Sequence, residues 1–332
     1  MTLSHQDRAR LPEAFREKDM TTAPESQLAS TVLMIRPVRF ESNPDTAASN
    51  RFQRKTQLSA EDQQDAALRE FDGLVTMLRE AEINVIVVDD TSEPHTPDSI
   101  FPNNWVSFHA DGSVVLYPME AENRRVERRP DIIEKLSAEF GFQVGEIIDL
   151  SAHEASGQFL EGTGSMVLDR INRVAYACQS SRTQLEPLRE FAQRMDYEVV
   201  TFDAVDCDGI AIYHTNVMMN IGEELAVICD EAISRDDQRA AVMQSLQKTG
   251  REVLSLTFDQ MEAFAGNMLE LRTGSGERVV AMSQQALDSL TGWQLGRLQH
   301  NGGILVSAID TIEASAGGSV RCMLAEIHLP HC

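Results

Sequence analysis

The 332-residue chain has no stretch approaching the roughly 18 to 20 consecutive apolar residues that a membrane span needs. Its opening, MTLSHQDRARLPEAFREKDM, lacks the apolar centre of a signal peptide. A cytoplasmic protein with no membrane partner is expected. Positive charge is scarce: 29 Lys and Arg stand against 52 Asp and Glu, a formal charge of −23. Such a surface repels phosphate backbones, which argues against nucleic acid as a partner. The five cysteines, at 178, 207, 229, 322 and 332, are odd in number and far apart, with no CxxC pair. They favour neither a disulfide framework nor a zinc site and read as reduced thiols. With no HxxxH, no Cys/His cluster and no phosphate loop of the GxxxxGK type, no metal or organic cofactor is expected. GTGSM at 162–166 looks like half of a dinucleotide fingerprint, but it reads as part of a hairpin and lacks the helix such a site needs.

What is present is a chain with 42% hydrophobic residues, enough for a substantial core. Residues 1–29 are polar and aperiodic and read as an N-terminal extension; residues 30–332 read as a single folded domain. The one basic cluster, Arg124, Arg125, Arg128 and Arg129 in ENRRVERRP, is interleaved with glutamates, the pattern of a mixed helix face. Within the folded part a pattern recurs at intervals of roughly 50 residues. NNWVSFHADGSVVLYPME from 103, GTGSMVLDRINRVAYACQSS from 162, HTNVMMNIGEELAVICDEAI from 214 and GNMLELRTGSGERVVAMSQQAL from 266 are each two apolar runs around a polar turn. A helix-like segment and one more strand follow each, as in SRTQLEPLREFAQRMD and then YEVVTF. STVLMIRPVRF, the helical stretch 58–82 and INVIVVDD make a first unit, with the C-terminal RCMLAEIHL as partner strand. The expected fold is therefore α/β: five ββαβ units in a closed, pseudo-fivefold, propeller-like ring, in preference to an open solenoid.

In a ring, the first strands of successive units face a common centre. The polar residues at those strand ends are Asn103 and Asn104, Glu161, His214 and Asn216, and Cys322. A reactive cysteine needs a base or positive charge to hold its thiolate and a third group to orient that base. His214 and Glu161 are of the right types. Taken singly, Cys322 reads first as a buried core thiol, and His214 is open between a functional group and a backbone cap. Glu161, between apolar Phe159–Leu160 and a glycine turn, is costly to desolvate without a partner.

These residues carry a resemblance. GGSVRCM around Cys322, Glu161 followed by Gly162, and His214-Thr215-Asn216 resemble the catalytic blocks of the guanidine-modifying enzymes: arginine deiminase, dimethylarginine dimethylaminohydrolase and the amidinotransferases. PDSIFPNNW from 97 and SSRT from 180 resemble two further blocks, and the match runs in order over residues 30–330. That superfamily has the five-unit pentein fold. The subgroup most similar is the citrulline-utilising hydrolases. The resemblance implies Cys322 as nucleophile, His214 as general acid/base and Glu161 as the carboxylate that binds substrate nitrogen. It further implies a substrate pocket of Asp98, Phe101, Asn103, Asn104, Arg182 and Asn216, with Asp98 taking the α-ammonium. Arg182 and one of Arg124 or Arg125, assigned as Arg125, take the α-carboxylate. The implied partner is a small-molecule amino acid, and a homodimer is compatible with the family.

In relatives that act on arginine or methylarginines, acidic residues stand in place of Asn103 and Asn104 or of Asn104 alone, and arginine deiminases usually carry Asp in place of Asn216. Here these positions are amides. A buried guanidinium requires carboxylates, whereas a neutral ureido group offers one carbonyl acceptor and several N–H donors. The amides favour L-citrulline, hydrolysed to ornithine, ammonia and carbon dioxide. The alternatives are amidino transfer, deimination of arginine, hydrolysis of dimethylarginine, and a non-catalytic pentein binding protein.

Overall fold

The computed structural model describes residues 25–47, 50–54 and 58–331. Its strands form five separate three-stranded sheets, each of one plan. In the first, β1 (Thr31–Arg36) pairs parallel with β2 (Asn84–Asp89), and the helix Ala60–Glu80 makes the crossover. That helix starts where the Ser59 side chain accepts from the Asp62 amide, and it buries Ala67, Phe71, Leu74 and Leu78 along one stripe.

The same order repeats in the other sheets. β3 (Val106–Phe108) pairs antiparallel with β4 (Val114–Leu116), which pairs parallel with β5 (Ile147–Asp149). β6 (Val167–Asp169), β7 (Val174–Cys178) and β8 (Glu198–Phe202) repeat it, as do β9 (Met219–Ile221), β10 (Leu225–Ile228) and β11 (Glu252–Ser255). β12 (Leu269–Arg272), β13 (Arg278–Ser283) and β14 (Gly303–Ser307) make the fifth. The antiparallel partner of β1 comes from the other end of the chain: β15 (Ala325–Glu326) pairs Leu33 with Ala325 and Val32 with Glu326.

The apolar core is shared between neighbouring sheets. Leu33, Ile35 and Ile86 pack with Val106, Phe108 and Val114; Val115 and Ile148 pack with Leu168 and Ala175. Tyr176 and Phe202 share a cluster with Val227, Leu254 and Val280, while Leu269, Leu271 and Val279 share one with Val32 and Met34.

Three differences from the sequence reading have physical causes. Residues 25–29 belong to the folded body and not to the extension: Gln27 donates to the carbonyls of Leu168 and Ile221, and buried Glu25 meets Arg170 at 2.7 Å. Their polarity is matched by partners distant in sequence, which no local pattern reveals; residues 1–24 lie outside the described part. The fifth crossover is two helices, Gln284–Ser289 and Gly292–Asn301, because Thr291 forms a capping box with Gln294 and starts a new helix. The arginine cluster is not one helix face. Arg128 bonds Glu154, Arg129 bonds Asp131, and Arg124 is buried against Glu127. No helix among the described residues is long and apolar enough to cross a membrane.

Candidate active site

Four of the five first strands are preceded by a single helical turn: Pro102–Asn104, Gly162–Ser165, Thr215–Met218 and Val320–Met323. The sequence reading gave these residues to the strands. The four turns carry Asn103 and Asn104, Thr163, Asn216 and Cys322. Glu161 and His214 are the residues that lead into the second and third turns. The Asn104 turn packs against both the Gly162 turn and the Cys322 turn.

Glycine makes this approach feasible. An added Cβ on Gly164 would stand 2.5 Å from Asn104 Nδ2 and 2.8 Å from His214 Nδ1, and one on Gly162 would collide with the Asn103 carbonyl. On the cysteine side, Gly317 has φ +68°, and a Cβ on Gly318 would sit 2.7 Å from the Phe101 ring. Phe101 therefore walls the glycine turn that leads to Cys322.

Glu161 is fully buried and collects charge. Its Oε2 lies 2.8 Å from His214 Nε2, 3.5 Å from Arg182 Nη1 and 3.7 Å from Arg124 Nη1, and its Oε1 accepts from the Glu120 amide at 3.1 Å. Burial pushes its pKa up, but Arg182, His214 and Arg124 overcome that and hold it well below the usual carboxylate range. Burial pulls the His214 imidazole down to about 4, with Arg182 and Arg124 adding to the effect and Glu161 opposing it. At neutral pH the pair is a carboxylate beside a neutral imidazole, which fixes the proton on Nε2.

Cys322 Sγ accepts from two amides, Asn216 Nδ2 at 3.4 Å and Asn267 Nδ2 at 3.2 Å. The other cysteines of the described part are elsewhere: burial raises the Cys178 and Cys229 thiols to about 12, and Cys207 is exposed.

A chain of fixed amides runs up to this centre. Arg124 is donor-only, so the Asn104 atom it meets at 3.0 Å is Oδ1. Asn104 Nδ2 must then face Asn103, where it donates to Oδ1 at 3.1 Å. Asn103 Nδ2 is left buried without a partner. The same holds for the acceptors Asn216 Oδ1, Asn267 Oδ1 and Asp98 Oδ1. Asp98 Oδ2 is taken by Asn43 at 2.7 Å and lies 3.6 Å from Arg124 Nε. Four unpartnered polar atoms in buried side chains are a demand for a polar ligand.

Of the two adjacent arginines, Arg124 joins this cluster and Arg125 does not. Arg125 donates to the Met119 and Glu120 carbonyls, approaches Glu154 at 3.5 Å and lies over the Phe159 ring. The two side chains leave a one-turn helix in different directions, so adjacency in sequence says nothing about which is inside. Arg182 is buried, 3.3 Å from Glu120 and over the Tyr213 ring. Tyr213 in turn bonds the Gly317 carbonyl at 2.8 Å. Asn267 and Tyr213 escaped the sequence reading. The signal for Asn267 was its place at the head of the fifth hairpin, where no chemically active residue type drew attention.

The family model for N,N-dimethylarginine dimethylhydrolase, eukaryotic, matches residues 36–329. No curated protein matches the chain by sequence. Among solved structures, the N-terminal domain of ArgZ bound to product, an arginine dihydrolase from the ornithine–ammonia cycle in cyanobacteria, is 18% identical with TM-score 0.68, covering 90% of this chain and 99% of that domain. A mutant of AgrE in a binary complex with L-arginine is 19% identical with TM-score 0.69 over 91% of this chain. A dimethylarginine dimethylaminohydrolase adduct with S-methyl-L-thiocitrulline is 14% identical with TM-score 0.60, covering 90% of this chain and 99% of that one. The chain spans 41% of full-length ArgZ and 40% of AgrE. The fold is shared with these structures, and with a family model matched over residues 36–329 the chain belongs to the N,N-dimethylarginine dimethylhydrolase family.

Proposed function

We propose that the protein hydrolyses the ureido group of L-citrulline to ornithine, ammonia and carbon dioxide through a covalent adduct on Cys322. The observation that carries this reading is the unpartnered Asn103 Nδ2, a donor whose orientation follows from Arg124 through Asn104. A guanidinium is donor-only and would leave that N–H unsatisfied; a ureido oxygen accepts it. The unpartnered Asn216 and Asn267 oxygens suit the ureido N–H groups.

In this mechanism the Cys322 sulfur attacks the ureido carbon, and the oxygen of the tetrahedral adduct is met by amide donors. His214, neutral at rest, takes up a proton and delivers it to the departing nitrogen, and Glu161 stabilises the imidazolium that forms between. Departure of one nitrogen leaves a thiocarbamate on sulfur. One water, activated by His214, then cleaves the C–S bond and regenerates the thiol, and the resulting carbamic acid breaks down to amine and carbon dioxide. Glu161 also binds a substrate nitrogen. Asp98 Oδ1 takes the α-ammonium, and Arg182 with one of the adjacent pair Arg124 and Arg125 takes the α-carboxylate. The sharing of core between each sheet and the next, and of the fifth with the first, supports a closed pseudo-fivefold ring acting as one catalytic domain.

A second reading has its own support. The buried, ionised Glu161 is a natural partner for a guanidinium, and the similar structures include an arginine dihydrolase. Arginine would then be the first substrate, with both nitrogens removed at the same thiol. Incubating the protein separately with citrulline, arginine, monomethylarginine and dimethylarginine, and quantifying ammonia, ornithine and citrulline, tests both. Ornithine from citrulline is expected; citrulline from arginine with no turnover of added citrulline would sink the proposal.

A further inference from the structure

Each of the other four units places a polar side chain at the centre just before its first strand: Asn104 before β3, Glu161 before β6, Asn216 before β9 and Cys322 before β15. The fifth unit places Asn267, fully buried, just before β12. Its backbone is pinned on both sides. The amide donates to the Phe264 carbonyl at 2.8 Å and the carbonyl accepts from the Arg321 amide at 3.4 Å. Gly266, just before it, runs so close to Val217 and Met218 that a Cβ there would collide with their backbone. The side chain is oriented by a second contact: Nδ2 donates to the Asn216 carbonyl at 2.9 Å as well as to Cys322 Sγ. Since a backbone carbonyl only accepts, this contact identifies the atom beside the sulfur as the NH2 group.

We infer that Asn267 is a further catalytic residue, which donates an oriented hydrogen bond to the Cys322 sulfur and stabilises the thiolate as the attacking species. This rests on the reading of Cys322 as the nucleophile. Among the described residues, the sulfur is bonded by side-chain amide N–H groups from two different units. Neutral donors stabilise a thiolate without forming an ion pair that substrate would have to break. They also leave His214, already engaged by Glu161, available for proton transfer. Asn267 shares this task with Asn216 and ties the two together through the Asn216 carbonyl.

The test is iodoacetamide labelling of Cys322 without substrate, followed by mass spectrometry of the peptide that contains it, for wild type, Asn267→Ala and Asn267→Asp. A hydrogen bond to a charged atom is strong enough for its loss to slow labelling at neutral pH by about tenfold or more. Asp keeps the shape but puts a negative acceptor at the sulfur, so labelling is expected to be slowest in Asn267→Asp, intermediate in Asn267→Ala and fastest in wild type. A purely structural role predicts the reverse order of damage, because Asp is the near-isosteric change. Labelling of Asn267→Asp at the wild-type rate, or faster than Asn267→Ala, would overturn the inference. If Asn267→Ala fails to fold by thermal melt, Asn267→Asp against wild type decides alone. Failure of the nucleophile reading is read separately, as retained turnover in Cys322→Ser.

Discussion

Glu161 Oε2 and His214 Nε2 lie 2.8 Å apart, in a site where both side chains are almost wholly buried and two arginines press on the pair. Burial and the two arginines set the state of both groups: the carboxylate stays charged because Arg182 and Arg124 face it, and the imidazole stays neutral because burial and the same arginines outweigh the pull of Glu161 toward its cation.

Replacing Glu161 by Gln keeps the shape but removes the charge that stabilises the imidazolium. The rate of ornithine release from citrulline should fall by about 10²- to 10⁴-fold, the usual worth of general acid–base catalysis. An unchanged kcat in Glu161→Gln would remove the acid from the mechanism.

The His214 shift has a sign for stability. Its pKa in the folded protein is about 4 against an ordinary 6.5, so the stability it contributes is complete above 6.5 and is lost as pH falls toward 4. The loss for this group is about 3 kcal/mol. Urea unfolding from pH 7 to 4 should show His214→Asn flattening that part of the profile relative to wild type; parallel profiles would show that His214 does not titrate there.

Asn103→Asp replaces the unpartnered donor by an anionic acceptor. For citrulline, kcat/KM should drop by about 10²-fold or more, while inhibition by arginine tightens. Competition assays with the two amino acids measure this directly, and a variant that still prefers citrulline would contradict the role given to this amide.

Asp98→Asn tests the amino-acid end. Oδ1 of Asp98 is buried and unpartnered, and a charged α-ammonium bond is lost on substitution. KM should rise by about 10- to 100-fold with a smaller effect on kcat. A rise confined to kcat would place Asp98 at the chemistry instead.

Gly164→Ala tests the close packing of the turns. A methyl 2.5 Å from Asn104 Nδ2 and 2.8 Å from His214 Nδ1 must displace one of them. Overpacking of this kind costs about 1–3 kcal/mol, so the melting temperature should fall and turnover should fall with it. Normal turnover with a normal melt would mean that the turn can shift without disturbing the site.

The repeat of hairpin, helix and strand was legible along the chain because alternation and helical periodicity are local signals. β15 beside β1 was legible too, as the apolar run left over once the repeats were counted. So were Cys322, His214 and Glu161 as residues at equivalent ends of repeats. The single helical turns before the first strands were not, since runs such as TNVM carry no period long enough to tell a turn from a strand. Nor was the burial of Glu25 and Gln27, whose partners lie more than a hundred residues away.

By itself, then, the sequence determined the repeating unit, the order of the units and the residue types delivered to their ends, because these depend on neighbours along the chain. Only the tertiary structure decided that Arg124 and not Arg125 turns inward, that Asn267 meets the sulfur, and which atom of Asn103 is left without a partner. Those are directional hydrogen bonds between residues distant in sequence, and their geometry exists only once the turns have packed together.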